Sequence, residues 1–117
     1  MIRSIEFYRT EDRECPVENL LDSLEDKEAQ KVLWVFRLIE RLERVPSKYF
    51  KKLIDTEEIW ECRVPTPRGT YRFFGFFLQG GKLIFTHGYS KKTQKTDPKE
   101  IGRAERYRQE YLKRYKE

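Results

Sequence analysis

The sequence predicts an α+β fold: a small antiparallel β-sheet with an N-terminal helical hairpin and a C-terminal helix, in the order β-α-α-β-β-β-α. Three observations predict it. Apolar residues recur at helical spacing between residues 17 and 42, and three apolar runs with strand character lie between residues 59 and 89. Asp97-Pro98-Lys99-Glu100 then opens a last helix, with an N-cap acid, a proline at the first helical position and a glutamate in the first turn. At 117 residues the expectation is one domain spanning 1–117.

The elements follow in order. Ile2 to Tyr8 alternates loosely and reads as a first strand, and Glu11 to Pro16 is polar and turn-like. Val17, Leu20, Leu21 and Leu24 stand at the i, i+3, i+4, i+7 spacing of one helical face. Asp26 reads as the N-cap of a second helix, with Ala29, Val32, Leu33, Phe36, Ile39 and Leu42 on its apolar face. That helix is expected to stop near Arg44, because Pro46 disfavours helical geometry at Val45.

Tyr49 to Glu58 reads as a connection. Ile59 to Val64 reads as a strand ended by Pro65 and Pro67, and Tyr71 to Leu78 is apolar enough to be a central strand. Gly80-Gly81 is a hairpin signal before the last strand, Lys82 to Tyr89. In the final helix Ile101, Ala104, Tyr107, Tyr111 and Tyr115 form the inner stripe. There are no internal repeats and no low-complexity segments.

Charge divides the chain. The sum is +5, but residues 1–45 carry 8 Lys/Arg against 11 Asp/Glu, and residues 46–117 carry 17 against 9. A basic, strand-rich half beside an acidic, helical half predicts a surface that attracts phosphate, with affinity falling as salt rises. The first residues hold no apolar run of a secretory signal, and no stretch approaches a membrane span. A cytoplasmic protein with Cys15 and Cys62 as free thiols is therefore expected, since the two cysteines lack metal-like spacing.

The basic residues concentrate around the strands. Between Arg63 and Lys99 there are Arg63, Arg68, Arg72, Lys82, Lys91, Lys92, Lys95 and Lys99, against the single acid Asp97. Alternation along the strands places Ile59, Glu61 and Arg63 on one side, and Thr70, Arg72, Phe74 and Phe76 on one side of the next. In the last strand Leu83, Phe85, His87, Tyr89 and Lys91 would share a side. With the helical hairpin on one sheet face, Arg63 and Arg72 are expected to emerge on the open face, with Lys91, Lys92 and Lys95 at its rim. Such a cluster of guanidinium and ammonium groups is a phosphate site.

No glycine-rich phosphate-loop spacing is present, so nucleoside-triphosphate hydrolysis is not indicated. The basic region between Arg63 and Lys99 holds one acid and one histidine, His87, which argues against a metal-dependent mechanism, and no metal or cofactor is expected. Metal-free RNA cleavage needs only the 2′-hydroxyl as nucleophile, a base for its proton, cations for the crowded phosphate and an acid for the leaving oxygen. A lysine among other cations can serve as that base, whereas arginine cannot. Each residue also has a plainer role. Arg63 and Arg72 would pair with Glu61 or a surface acid, His87 would be a satisfied strand residue, and the lysine run would be a solvated loop. The phenylalanines and Trp60 are core, and the C-terminal tyrosines pack the helix.

Ile59-Trp60-Glu61-Cys62-Arg63, Thr70-Tyr71-Arg72, and His87-Gly88-Tyr89-Ser90-Lys91-Lys92-Thr93-Gln94-Lys95-Thr96-Asp97-Pro98-Lys99-Glu100-Ile101 followed by Ala104 together resemble the phage-derived HigB-like branch of the RelE/ParE toxin superfamily. The lysine–threonine segment carries most of that specificity, and element order agrees over nearly the whole chain. The resemblance implies a RelE-like microbial ribonuclease-type fold. It also implies the toxin of a type II toxin–antitoxin pair, a metal-independent, ribosome-dependent mRNA endonuclease that inhibits translation.

Carried over residue by residue, Arg63, Arg72, Lys91, Lys92 and Lys95 match the family's basic positions, with His87 placed for proton transfer beside them. Tyr89 is placed to stack on a base, and Lys51, Lys52, Arg68 and Lys99 would contact nucleic acid. The partners the resemblance implies are the ribosome, mRNA and a cognate antitoxin with a helix-turn-helix DNA-binding domain. The free toxin would be a monomer that oligomerises only through the antitoxin, with no membrane role. The chain departs from the family pattern at Cys62, where a leucine is usual, and at Asp97, inserted before Pro98. Its first tyrosine in the last helix, Tyr107, lies well inside that helix. Two rival functions share the basic surface: a non-catalytic DNA gyrase-inhibiting toxin of the ParE type, and a phage-type nucleic-acid-binding accessory protein.

Overall fold

The computed structural model describes residues 2–91 and 95–115. Five strands form one sheet in the order β1-β5-β4-β3-β2, where β1 is Ser4–Phe7, β2 Phe50–Lys52, β3 Trp60–Thr66, β4 Gly69–Leu78 and β5 Lys82–Lys91. Two helices, α1 (Pro16–Asp22) and α2 (Asp26–Arg41), precede β2, and α3 (Pro98–Arg114) follows β5. The α+β class with three helices is the one the sequence predicts. Among the described residues no helix is long and apolar enough to cross a membrane.

Two features make the sheet mixed and wider than expected. β1 pairs parallel with β5, Ser4 opposite Lys82 through Phe7 opposite Phe85, while the other pairs are antiparallel. The connection expected over residues 49–58 contains β2, which pairs with Trp60–Cys62. Three residues with two lysines give too little alternation to announce a strand, yet Phe50 stacks on Trp60 at 4.9 Å and fixes the register.

Helices cover both faces. α1 and α2 bury Val17, Val32, Val35, Phe36 and Ile39 against Cys62, Val64, Phe73, Leu83 and Phe85. Phe36 anchors this layer, stacked on Phe85 at 4.8 Å and edge-on to Phe73 at 5.1 Å. α3 lies across the opposite face, where Ala104 and Ile101 meet Phe74 and Ile59, and Tyr107 and Tyr111 meet Phe76, Ile84 and Tyr8. Tyr115, the last of the expected inner stripe, is exposed. The face expected to be open is therefore covered by α3. An amphipathic stripe shows that a helix packs but not on which sheet face, and the first two helices already fill the other side.

Element boundaries follow local chemistry. α2 begins at Asp26 with Glu25 as N-cap, and ends at Arg41, three residues before the expected stop. The Arg3 guanidinium donates to the carbonyls of Ile39, Leu42 and Glu43 at 2.7–2.9 Å, satisfying the end of the helix from the first strand. β3 runs through Pro65 instead of stopping there. β2 pairs only as far as Cys62, so at Pro65 the strand is an edge where a missing N–H costs no ladder bond. The Gly80-Gly81 hairpin forms as expected. Both glycines take positive φ, 81° and 79°, which other residues rarely adopt.

The face parity expected for β5 fails at one point. Phe74 pairs with His87, but Gly75 pairs with Phe85, so Thr86 is an extra residue in a β-bulge. Leu83 and Phe85 face the helical pair, whereas His87 and Tyr89 face α3. The Thr86 hydroxyl lies 3.2 Å from the Phe74 carbonyl and 3.0 Å from His87 Nδ1, which holds the bulge. Its mark in the sequence is on the facing strand: Gly75 stands at the register shift, where a Cβ would lie 2.7 Å from the Ile84 carbonyl.

Candidate nucleic-acid interface

Glu61 is the centre of the basic region. Its alternation partners Ile59 and Arg63 face α3 with it, while Trp60, Cys62 and Val64 face the helical pair, as the strand pattern predicts. Glu61 has no exposed surface, and Arg72 on the adjacent strand is 1% exposed. Arg63 Nε donates to Glu61 Oε1 at 2.7 Å, and Arg72 Nη1 donates to Oε2 at 3.0 Å. The Thr96 hydroxyl donates to the same Oε2 at 2.6 Å and lies 3.3 Å from Arg72 Nη1. Burial pushes the Glu61 carboxyl up, but hydrogen bonds from Thr96, Arg63 and Arg72 outweigh it and hold the group below the usual carboxylate range.

This network ties the lysine segment to the sheet. Thr96 bonds Glu61, and the next residue, Asp97, donates its backbone N–H to the Tyr89 hydroxyl at 2.9 Å. Asp97 then caps α3, its carboxylate accepting the Lys99 N–H at 2.9 Å. Glu100, in the first turn, reaches across to His87 Nε2 at 2.9 Å. His87 is 1% exposed, with both ring nitrogens engaged, and burial pushes its pKa down to about 4 despite Glu100. It is neutral at pH 7 and sealed beneath α3.

The predicted site residues separate accordingly. Arg63, Arg72 and Tyr89 lie in one cross-strand row, and Lys51 stands opposite Glu61 in the next. Arg72 does not emerge from the sheet, because the bulk of α3 and the segment leading into it cover that position. It is a structural partner of Glu61. His87 likewise lies inside, with Thr86 at one ring nitrogen and Glu100 at the other. Tyr89 is half-buried, its ring 5.8 Å from Phe74 and its hydroxyl bonded to Asp97, so it supports the segment.

Arg63 differs from Arg72. Its side chain is 23% exposed and only its Nε meets Glu61; among the described residues its terminal nitrogens have no protein acceptor. Lys51, Lys95 and Lys99 are exposed on the same side of the sheet or at the start of α3. Lys91 ends β5 opposite Thr70, and Lys92 lies outside the described residues. Two predicted contacts point elsewhere. Lys52 is on the opposite face from Lys51 and pairs with Glu58 at 2.8 Å, and Arg68 pairs with Glu25 at the start of α2. Cys15 and Cys62 are free, buried thiols whose pKa values burial raises.

Sequence reasoning offered Glu61 as a partner for Arg63 and Arg72 but missed Thr96 and the burial of the acid. One signal was present: an acid between Trp60 and Cys62 in an apolar strand must be matched by buried donors. The geometry offers one held, partly open guanidinium, Arg63, with the exposed ammonium group of Lys51 on the neighbouring strand, a surface suited to a polyanion's phosphates.

The family model described as Phage derived protein Gp49-like (DUF891) matches residues 19–109. That span runs from α1 into α3 and contains the whole Glu61 network. No curated protein matches the chain. With the match covering well over half of its length, the chain belongs to the phage-derived Gp49-like family, a family associated with the toxins of toxin–antitoxin systems.

Proposed function

We propose that this protein is the toxin of a type II toxin–antitoxin pair and acts as a metal-independent endonuclease on mRNA in the ribosome. The observation that carries the reading is Arg63. A buried carboxylate fixes its Nε, its terminal nitrogens have no protein acceptor among the described residues, and the exposed Lys51 stands opposite that carboxylate's residue on the next strand. A guanidinium held in this way loses little side-chain freedom when it meets a phosphate, which favours binding of the crowded transition state.

The chemistry balances without a cofactor. The RNA 2′-oxygen bonds to the adjacent phosphorus, its proton passes to a base, and the bond from phosphorus to the 5′-oxygen breaks. The products are a 2′,3′-cyclic phosphate and a 5′-hydroxyl that takes up a proton. Arg63 and Lys51 would bind the phosphate, and the lysine run 91–95 would supply the base and further charge. His87 and Arg72 act by holding the frame. An antitoxin would silence the protein by covering this basic surface.

The burial of Arg72 and His87 favours one rival, a non-catalytic toxin that inhibits DNA gyrase, because it needs neither as a catalyst. Adding the purified chain to a cell-free translation reaction separates the two. New mRNA ends bearing cyclic phosphate, dependent on ribosomes, support the endonuclease. Intact mRNA together with loss of gyrase supercoiling in a parallel assay would replace it with the rival.

A further inference from the structure

We infer that the outer face of α3 is a second RNA contact, a basic track that seats the sugar–phosphate backbone of an RNA duplex. The inference rests on the endonuclease reading only for its choice of RNA over DNA.

Lys99, Arg103, Arg106 and Lys113 are all exposed, and their spacings of four, three and seven residues keep them on one helical face. The track runs about 21 Å from first to last. It begins where the Glu61 network ends, since Lys99 follows the cap at Asp97 and Lys95 stands just before it. Among the described residues neither Arg106 nor Lys113 is paired with an acid. Glu110, the acid within this arc, is occupied by Arg114, and Glu105 and Glu57 lie on the flank, bonded to Glu57 N–H and to Gln109. The buried stripe of α3 faces the sheet, and of the four cations Arg103 alone has a side-chain partner among the described residues, the Tyr107 hydroxyl at 3.2 Å and Glu100 at 3.8 Å.

Gly102 and Gln109 flank the cations on one side, and the ring on the other side, Tyr107, is half-buried, stacked on Tyr8 at 4.6 Å and bonded through its hydroxyl to Arg103. That composition discriminates among polyanions. A protein helix docking here would find no apolar anchor pocket, which such interfaces use. Single-stranded RNA would find no open ring on which to stack its bases, since Tyr107 packs on Tyr8 with the Arg103 guanidinium over it. A duplex presents only regularly spaced phosphates and 2′-hydroxyls, and rows of Arg and Lys suffice for it.

The test is fluorescence anisotropy of the purified full chain against a short labelled RNA duplex and a single strand of the same sequence, across a series of KCl concentrations. Arg106→Gln combined with Lys113→Gln removes two exposed charges that pair with no acid among the described residues. Lys82→Gln, on a lysine paired with Glu6, serves as a charge control. The double variant should bind the duplex at least tenfold more weakly at low salt. Its slope of log affinity against log salt should fall by about two relative to wild type, as expected for two lost phosphate contacts. The control should leave the slope unchanged.

An unchanged slope in the double variant overturns the track, as does a loss confined to the single strand. Cleavage is read separately in the translation reaction. Cutting by a chain whose double variant keeps its salt slope refutes the track alone. A normal slope effect without any cutting refutes the endonuclease alone.

Discussion

Glu61 and Arg72 form an ion pair at 3.0 Å in which neither side chain has more than a trace of exposed surface. A buried pair is costly to desolvate, and here the cost is offset by further hydrogen bonds from Arg63 and Thr96 onto the same carboxylate. One acid therefore sets the positions of two arginines and of the segment leading into α3. The basic surface is organised from beneath by a negative charge.

Glu61→Ala should destabilise the protein by about 3–5 kcal/mol, since it removes the carboxylate that balances the buried Arg72 charge. Glu61→Gln, which keeps a hydrogen-bonding group but not the charge, should cost less. Urea midpoints of the two variants against wild type measure the difference. Equal stability of Glu61→Ala and wild type would contradict the network.

Stability should also fall as the pH drops from about 6.5 to about 4. In the folded chain burial holds the His87 pKa near 4, below the ordinary 6.5, so the unfolded chain takes up a proton first. Stability is then complete above pH 6.5 and declines as the solution becomes more acidic, by on the order of 2–3 kcal/mol from this group. Glu61, held below its usual range, adds a loss in the same direction at lower pH. Urea denaturation at pH 7, 5.5 and 4.5 should show the decline for wild type and a flatter profile for His87→Gln.

Thr96→Val removes the hydroxyl that bonds Glu61 while keeping nearly the same shape. The expected loss is about 1–2 kcal/mol, with faster amide hydrogen exchange at Asp97 and Lys99 as the capped start of α3 loosens. Protection unchanged at these amides would show that the latch is not needed to order the segment.

Gly88→Ala should cost roughly 1–3 kcal/mol through overpacking. A Cβ at this position would lie 2.5 Å from the Phe73 ring and 3.0 Å from the Arg72 carbonyl, so the strand pair that carries Arg72 would have to shift. Thermal unfolding followed by circular dichroism measures it. No loss would show that the Phe73 ring relocates freely.

Much of this architecture is legible in the sequence. The spacing of Val32, Phe36 and Ile39 announces α2, the run Tyr71 to Leu78 announces a central strand, and Asp97-Pro98 announces the start of α3. The failures have physical causes. Alternation through β5 is reversed by a bulge at Thr86, an ordinary strand residue. The coverage of Arg72 and His87 depends on which face α3 chooses, a tertiary matter that its own stripe does not encode. The pairing of Arg63 and Arg72 with Glu61 was the plainer of two roles the sequence allowed, and the acid's position inside an apolar strand was its signal.

The central claim is that Arg63 presents charge to an RNA phosphate while Arg72 serves the fold. The most direct measurement is induced expression in a bacterial host of wild type and Arg63→Ala, mapping the 5′ ends of mRNA, with circular dichroism confirming that the variant folds. The account predicts growth arrest with new cuts inside translated regions for wild type, and loss of both by at least tenfold for Arg63→Ala. Arrest without mRNA cuts, or cuts that persist undiminished in a folded Arg63→Ala, would contradict it.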